Sequence, residues 1–262
     1  MLFSFNLSLT HGAIIFAAQE LNMRKILLLM LAFTSFQSTF SQTSTGKKKY
    51  DLGNRPGDHL LFQINSNQWT GVPDSIASHT GTFNRSANLY LMLDKPFKGD
   101  SRFSVALGIG VGNSSIYFKK MRIDIVSNSS KLPFVALDTV NRFKKYKLST
   151  AFLEVPVELR FSSNPEKPMK SVKIALGLKA GTLLNAKTKG KTLEDGTGKT
   201  LNSFTQKQSS KSYFSTTRLG ATARVGYGNF SLSGAYYFTP VFKDGVTADI
   251  KLFQIGLTIS GL

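Results

Sequence analysis

The stretch FQIGLTIS, residues 253–260, alternates large apolar residues with small or polar ones. Successive side chains of a β-strand point to opposite faces, so this alternation predicts a strand with two unlike faces. One face would carry Phe253, Ile255, Leu257 and Ile259, and the other Gln254, Gly256, Thr258 and Ser260. Segments of the same kind recur through the chain from residue 58 onward.

Seven segments with this alternation precede the C-terminal one. They cover residues 59–68, 86–95, 102–112, 151–162, 171–184, 215–227 and 229–239. Together the segments predict eight strands, and bacterial outer-membrane barrels have an even number of strands.

The connections between these strands alternate in length. They are short at 96–101, 163–170 and 228–229, long at 69–85, 113–150 and 185–214, and moderate at 240–248. Transmembrane barrels show this alternation, with short periplasmic turns and long outer loops. Residues 114–126 either extend two strands beyond the membrane or fold as a separate hairpin, and a true extra pair would give ten strands.

The two faces of the predicted strands differ in side-chain size. One face is rich in Phe, Leu, Ile and Val, and the other in Gly, Ala, Ser and Thr with few charges. The interior of an eight-stranded barrel is just wide enough for side chains to fill, so the small residues suit the lumen and the large ones suit lipid. We therefore predict an all-β fold, an eight-stranded antiparallel up-and-down transmembrane β-barrel.

Aromatic residues cluster near both ends of the strands, which favours two belts at the bilayer interfaces. Near the short turns lie Phe97, Phe103, Phe161, Tyr227 and Phe230. Near the long loops lie Trp69, Phe83, Phe152, Tyr213, Phe214, Tyr236, Phe238 and Phe242.

The N-terminal residues predict export. Residues 23–42, MRKILLLMLAFTSFQSTFSQ, combine a short basic start, an apolar run and small polar residues before Gln42, which is the layout of a secretory signal peptide. Residues 1–22 lack a basic start of their own, which favours Met23 over Met1 as the initiator, although one long signal from Met1 is the alternative. The predicted segments are an upstream extension at 1–22, the signal peptide at 23–41, a linker at 42–57 and the barrel at 58–262.

The chain is strongly basic, with 33 Lys and Arg against 15 Asp and Glu and a formal net charge of +18. Much of the excess lies in the predicted outer loops 113–149 and 187–211, where it would meet the phosphates and carboxylates of lipopolysaccharide. We expect a monomer whose partners are outer-membrane lipid and lipopolysaccharide, with cell-envelope or secretion proteins as further candidates. The export signal argues against a nucleic-acid partner.

Three motifs resemble the PorT-like outer-membrane β-barrel family of Bacteroidetes. They are the signal ending in Ser41-Gln42, the strand FLEVPVELRF at 152–161 and the closing strand FQIGL at 253–257. The resemblance covers most of residues 50–262. It implies a small barrel in the outer membrane of a Gram-negative bacterium, and one branch of the family is tied to the export of cargo proteins. It implies no catalytic residues.

Charged residues on the small-residue face form the candidate site. They are Glu154, Glu158, Arg160, Lys173, Lys179, Arg218 and Arg224. Buried charges must be paired, because the desolvation cost of an unpaired charge is large. A symmetric turn at 163–170 would place Glu154 opposite Lys179. The interpretation is a lumenal salt-bridge network that closes the barrel, and the alternative is a gated polar path or a small-anion site.

We expect no enzymatic activity, no cofactor and no metal. The chain has no cysteine, and neither His59 nor His79 has a His or Cys neighbour at metal-ligand spacing. The glycine stretches 108–112 and 196–200 do not meet the requirements of nucleotide-binding loops.

Two other functions stay open at this point. The first is a soluble periplasmic lipocalin-like barrel that binds a lipophilic ligand, in which Phe253, Ile255 and Leu257 would line the interior. The second is a surface enzyme, which would need His79 to converge with a loop serine and an aspartate.

Overall fold

The computed structural model describes residues 59–261, so the predicted extension at 1–22, signal peptide at 23–41 and linker at 42–57 lie outside the described residues. Within 59–261 the chain forms eleven β-strands, one short α-helix and one 3-10 turn. None of the helical segments in this range has the length and apolar character needed to cross a bilayer.

The elements have the following bounds in chain order. They are β1 Leu60–Thr70, α1 Asp74–Ala77, β2 Arg85–Pro96, β3 Phe103–Phe118, β4 Met121–Ile123, β5 Phe134–Ala136, β6 Arg142–Ser162, the 3-10 turn Pro168–Lys170, β7 Val172–Glu194, β8 Thr200–Ser209, β9 Thr217–Tyr227, β10 Phe230–Tyr237 and β11 Lys251–Ser260.

Eight of these strands close into a ring in the order β1, β2, β3, β6, β7, β9, β10 and β11, and β11 pairs back onto β1. Every neighbouring pair is antiparallel. In the register, Ile64 of β1 lies opposite Leu257 of β11 on one side and Ala87 of β2 on the other. Closure lets the backbone N–H and C=O groups of every ring strand bond to a neighbouring strand. An open sheet edge would leave such groups without partners in lipid, which cannot hydrogen-bond to them. The predicted eight-stranded antiparallel barrel is confirmed.

The strand faces are oriented as the side-chain sizes predict. Leu257 and Leu176 face outward and are 64% and 60% exposed, whereas Gln254 and Thr258 face the lumen and are 1% and 0% exposed. Ile255 also faces outward. The lipocalin-like alternative, which needs an apolar interior, is therefore wrong.

The tightest connection is Gly228-Asn229, which joins the paired residues Tyr227 and Phe230. Gly228 has φ +60°, and a Cβ at this position would lie 2.8 Å from the carbonyl oxygen of Met169. Two-residue hairpins favour glycine because they require such left-handed backbone geometry.

Three ring strands are longer than predicted. β3 continues to Phe118, β6 begins at Arg142 and β7 continues to Glu194, so much of the predicted loops 113–150 and 185–214 is strand. β8 pairs with the end of β7, outside the ring. β4 and β5 pair only with each other within the described residues. Extra strands therefore exist beyond the predicted eight, but none of them enters the ring.

The extended strands and the outer connections form a second apolar core, here called the outer lobe. The inward face of β3 changes from small to large apolar residues where the lobe begins: Gly112 and Ser114 are followed by the buried Ile116 and Phe118. The buried members of this core are Ile76, Ile116, Phe118, Met121, Ile123, Ile125, Leu132, Tyr146, Leu148, Phe152, Leu183, Ala186, Tyr213, Phe214, Phe242 and Ile250.

Only part of the predicted aromatic belts faces outward. Phe97, Phe103, Tyr227 and Phe230 are exposed at the short-turn end, and Phe83, Tyr236 and Phe238 are exposed near the other end. Trp69, predicted for the same lipid-facing belt, instead packs against Phe118 and Phe242 of the lobe core. The prediction that Phe152, Tyr213, Phe214 and Phe242 belong to that belt is also wrong. These four side chains are buried because the connections fold back over the barrel mouth and cover them.

Phe242 provides a test of the lobe core. Its ring lies 5.2 Å from that of Phe214 and 5.7 Å from that of Trp69, and its side chain is 1% exposed. Replacing it by alanine should destabilise the lobe by about 3–5 kcal/mol, the usual effect of deleting a buried ring. We expect faster proteolysis of the lobe while the barrel stays folded. Phe83→Ala, at an exposed ring, is the matched control, and equal protease resistance of the two variants would contradict the assignment.

Candidate functional site

The lumen is lined by polar side chains from all parts of the ring. The buried members are Gln63, Asn65, Asn67, Ser86, Asn88, Ser104, Ser114, Glu154, Glu158, Arg160, Lys179, Arg218, Arg224, Ser231, Ser233, Gln254, Thr258 and Ser260. Many of them bond to one another across the interior. Gln63 donates to the hydroxyl of Thr258 at 3.0 Å, and Gln254 donates to Asn67 at 3.0 Å.

Glu154 is the centre of the first charge cluster and is fully buried. The Nε of Arg218 donates to its Oε1 at 2.9 Å, and the Nη2 of Arg218 lies 2.8 Å from the same oxygen. The hydroxyl of Tyr237 donates to Oε1 at 3.1 Å, and that of Tyr90 donates to Oε2. Side chains from three other strands, β2, β9 and β10, therefore bind the carboxylate of Glu154 on β6, which suits a group that links the ring from inside.

Lys179 joins this cluster, but not in the predicted way. It lies opposite Pro156, and Glu154 lies opposite Gly181. The assumption of a symmetric turn is wrong by two residues, because Pro168–Lys170 form a 3-10 turn and β7 begins only at Val172. The Nζ of Lys179 instead donates to the hydroxyls of Tyr90 at 3.2 Å and Tyr237 at 3.4 Å.

Two glycines provide the space that Glu154 occupies. A Cβ at Gly112 would lie 2.5 Å from its Oε2, and a Cβ at Gly181 would lie 3.0 Å from its Cγ. The glycine stretch 108–112 thus belongs to the lumenal face of β3. Gly112 makes room for the carboxylate, whereas Gly108 and Gly110 lie against Met92 and Tyr90.

A second cluster lies nearer the short turns and centres on Glu158. The Nε of Arg160 donates to its Oε2 at 2.8 Å, and the Nη2 of Arg224 donates to the same oxygen at 3.1 Å. Arg160 also lies 3.7 Å from Asp94, which accepts a hydrogen bond from Ser104 at 2.8 Å. Each of the two lumenal glutamates is therefore held by an arginine from β9.

The remaining predicted member, Lys173, is half-buried at the edge of this second cluster. It lines a space of about 70 Å³ together with Asp94, Arg160 and Arg224. Two further lumenal spaces measure about 20 Å³ each. One water molecule needs at least about 10–15 Å³ of such space. The packing accordingly favours a closing network over a gated path or a small-anion site.

Sequence reasoning missed Tyr90, Tyr237 and Asp94 as members of the clusters. A signal exists for Tyr237, which is a large residue on a face whose neighbours Ser231, Ser233 and Ala235 are small, and a weaker one for Tyr90, which shares its face with Asn88 and Met92. A large side chain at such a position must reach across the lumen, and its hydroxyl needs a polar partner there.

The two histidines of the described range have local partners. His59 contacts the carbonyl oxygen of Met92 at 3.1 Å. His79 does meet a serine and an aspartate, since its Nδ1 lies 3.1 Å from the Ser78 hydroxyl and its Nε2 lies 3.5 Å from Asp138. However, Nδ1 also lies 3.0 Å from the Ser75 carbonyl oxygen, which can only accept a hydrogen bond. An Nδ1 that donates to this carbonyl cannot take a proton from Ser78, which argues against a catalytic triad.

Among residues 59–261, no group of three or more metal-ligating side chains is close enough to hold an ion. The stretch 196–200 forms the turn between β7 and β8 and the first residue of β8, and Asp195 accepts hydrogen bonds there from the backbone of Thr197 and Lys199, each at 2.9 Å.

Glu154→Gln tests the first cluster. The variant keeps the side-chain volume but leaves the Arg218 and Lys179 charges buried without a carboxylate. Breaking a buried pair in this way should lower the free energy of unfolding by about 3–5 kcal/mol, measured by urea unfolding in detergent micelles. Adding Arg218→Met should recover part of the loss. Glu166→Gln, in the exposed short turn, is the control, and a Glu154→Gln midpoint equal to that of the control would refute the network.

A match to a family model agrees with this architecture. The family model for the outer membrane protein beta-barrel domain matches residues 40–242. No curated protein matches the chain by sequence. Two crystal structures of Ail, the attachment invasion locus protein of Yersinia pestis, are similar at 14% identity, covering 77% of this chain and 94% of Ail, with TM-scores of 0.34 and 0.31; the second contains the heparin analogue sucrose octasulfate.

We infer nothing about this chain from so distant a likeness to Ail. The family match is different, because it covers most of the chain and the ring of eight antiparallel strands has the geometry that the family name describes. The chain therefore belongs to the outer membrane protein beta-barrel domain family, and it lies in the outer membrane of a Gram-negative bacterium.

Proposed function

We propose that the protein is a non-enzymatic membrane anchor for a surface-interaction lobe. The barrel holds the chain in the outer membrane, and the outer lobe contacts other molecules of the cell surface. The observation that carries this proposal is the contrast between a lumen filled by paired charges and a lobe folded around its own apolar core. A general porin needs the opposite arrangement, with a water-filled lumen and a free mouth.

The lumen supports an anchoring role. Its two glutamates are bound by arginines from across the ring, so the charges that could attract a solute are already satisfied by each other. Above them, the lobe core covers the mouth with rings such as Phe214 and Phe242. A solute would have to displace both layers to pass.

The lobe supports an interaction role because it is folded and strongly basic. Residues 113–149 hold eight Lys and Arg against two Asp, and residues 187–211 hold six Lys against one Glu and one Asp. Such a surface attracts anionic molecules over a distance set by the ionic strength. Lipopolysaccharide and anionic cell-envelope components fit this charge.

An accessory role in protein export rests only on the sequence resemblance to PorT-like barrels. The filled lumen argues against cargo passing through this barrel. In such a role the protein would act through contacts of its outer lobe or its short turns with export proteins.

Conductance in planar lipid bilayers tests the anchor proposal. The reconstituted protein should show no steady open-channel current, since the lumenal charges are paired across the interior and the spaces beside them measure only about 70 and 20 Å³. A porin inserted under the same conditions is the positive control. A stable conductance that persists over minutes, or uptake of small sugars by liposomes that contain the protein, would overturn the proposal.

A further inference from the structure

Six lysines form a compact basic surface on the outward face of β6, β7 and β8, here called the lysine ladder. Its members are Lys145, Lys147, Lys187, Lys189, Lys191 and Lys207. In the register, Lys189 lies directly opposite Lys147 on one side and Lys207 on the other, and Lys191 lies opposite Lys145. Directly opposed residues have Cβ atoms about 4.5–5.5 Å apart, so these ammonium groups share one small area.

The cross-strand neighbours do not neutralise the ladder. Lys147 lies opposite Tyr117 on its other side, Lys191 opposite Thr205, and Lys187 between Ser149 and Ser209. The nearest acidic side chain along β7, Glu194, is paired with Lys144 at 3.3 Å, which is not part of the ladder. Like charges placed directly opposite each other destabilise a sheet, so the arrangement costs stability unless an anion binds.

Lys189 lies at the centre and shows the effect most clearly. The charge of Lys191, followed by burial and by the charges of Lys207, Lys147 and Lys187, lowers its pKa below the ordinary lysine value. The surrounding lysines thus oppose protonation of Lys189. An anion bound over the ladder would relieve this repulsion. Lysines spread apart on a solvated surface would not repel one another in this way and would gain less from an anion.

The height of the ladder relative to the bilayer indicates which kind of anion it binds. On β7 the last outward-facing apolar residue before it is Leu184, and Lys187 and Lys191 follow three and seven residues later. With a rise of about 3.3 Å per residue and a strand tilt of about 40°, they lie roughly 8 and 18 Å above Leu184. A bilayer headgroup layer extends only about 5–8 Å beyond the hydrocarbon on each side. The ladder therefore begins at headgroup height and continues past it.

We propose that the lysine ladder binds the phosphorylated sugar headgroup of a glycolipid in the same outer leaflet that surrounds the barrel. A lysine ammonium is a strong phosphate partner. The height of the ladder fits a bulky phosphorylated headgroup better than the single phosphate of a phospholipid. This inference rests on the proposed surface-interaction function and names the surface and the partner for it.

The test uses the whole barrel reconstituted in phosphatidylcholine nanodiscs that contain fluorescent phosphorylated lipid A. The ladder variant Lys147→Gln/Lys189→Gln/Lys207→Gln is compared with the matched variant Lys119→Gln/Lys131→Gln/Lys211→Gln, which removes the same charge from other exposed sites of the outer lobe. The ladder variant should lose at least about tenfold in affinity and the matched variant less than about threefold, and raising the salt from about 0.05 to 0.5 M should weaken wild-type binding.

Heat-modifiable gel migration establishes that each variant is folded. In lipid-free neutral detergent the ladder variant should unfold at the same urea concentration as the wild type or at a higher one, because it removes repulsion. A ladder variant that is less stable than the matched variant would contradict the account of an unbalanced surface.

Several binding results would overturn the inference. They are equal losses in the two variants, equal binding of dephosphorylated lipid A, equal binding of phosphatidylglycerol, displacement of lipid A by inorganic phosphate, and tighter binding of a soluble sulfated polysaccharide to the ladder. Each of these leaves the closed anchor intact, because that proposal is tested separately, by conductance and by sugar uptake into liposomes.

Discussion

The ion pair between Glu154 and Arg218 is the interaction on which the barrel depends. Moving these two charges out of water costs several kcal/mol each, and only close pairing and further hydrogen bonds offset that cost. The structure supplies both, because Tyr90 and Tyr237 donate to the same carboxylate and Lys179 donates to the two tyrosines. The pair thereby links β2, β6, β7, β9 and β10 through the lumen.

Lipid sets the constraint that makes this pair necessary. The outer face of the ring must be largely apolar, so most polar residues of the alternating strands face inward. Eight strands enclose little space, and a large charged side chain fits only where the neighbouring lumenal residues are small. Gly112 and Gly181 create that space beside Glu154. The small residues on the lumenal face therefore provide the space that the few long charged side chains occupy.

Beyond the membrane the same strands meet a different solvent, and their pattern changes. On β3 and β6 the inward positions become Ile116, Phe118, Tyr146 and Leu148, which pack with residues from the outer connections. Water now surrounds the outer face, so the outward positions of β6 and β7 are lysines. This folded, basic lobe above a filled lumen is the basis of the proposed surface-interaction role.

The strand alternation made the ring, its strand number and its face orientation predictable, because period two and side-chain size reflect lipid on one side and a narrow lumen on the other. The upper halves of β6 and β7 were not recognised because runs such as Lys144-Lys145-Tyr146-Lys147 resemble a charged loop when the partner strand is unknown. The register of Glu154 depends on how Pro168–Lys170 coil, which local pattern does not encode. Likewise, the tyrosine partners are distant in sequence and become neighbours only through closure of the ring.

The most direct test of the filled lumen is the reactivity of single cysteines, which is simple to measure because the chain has none of its own. Ser86, buried in the lumen, accepts hydrogen bonds from Asn65 and Gln254, whereas Ser129 is exposed in the outer lobe. The account predicts that a charged maleimide labels Ser129→Cys rapidly in the folded barrel and labels Ser86→Cys only after heating unfolds it. Labelling of Ser86→Cys in the folded barrel at a rate similar to that of Ser129→Cys would show a water-filled lumen and contradict the account.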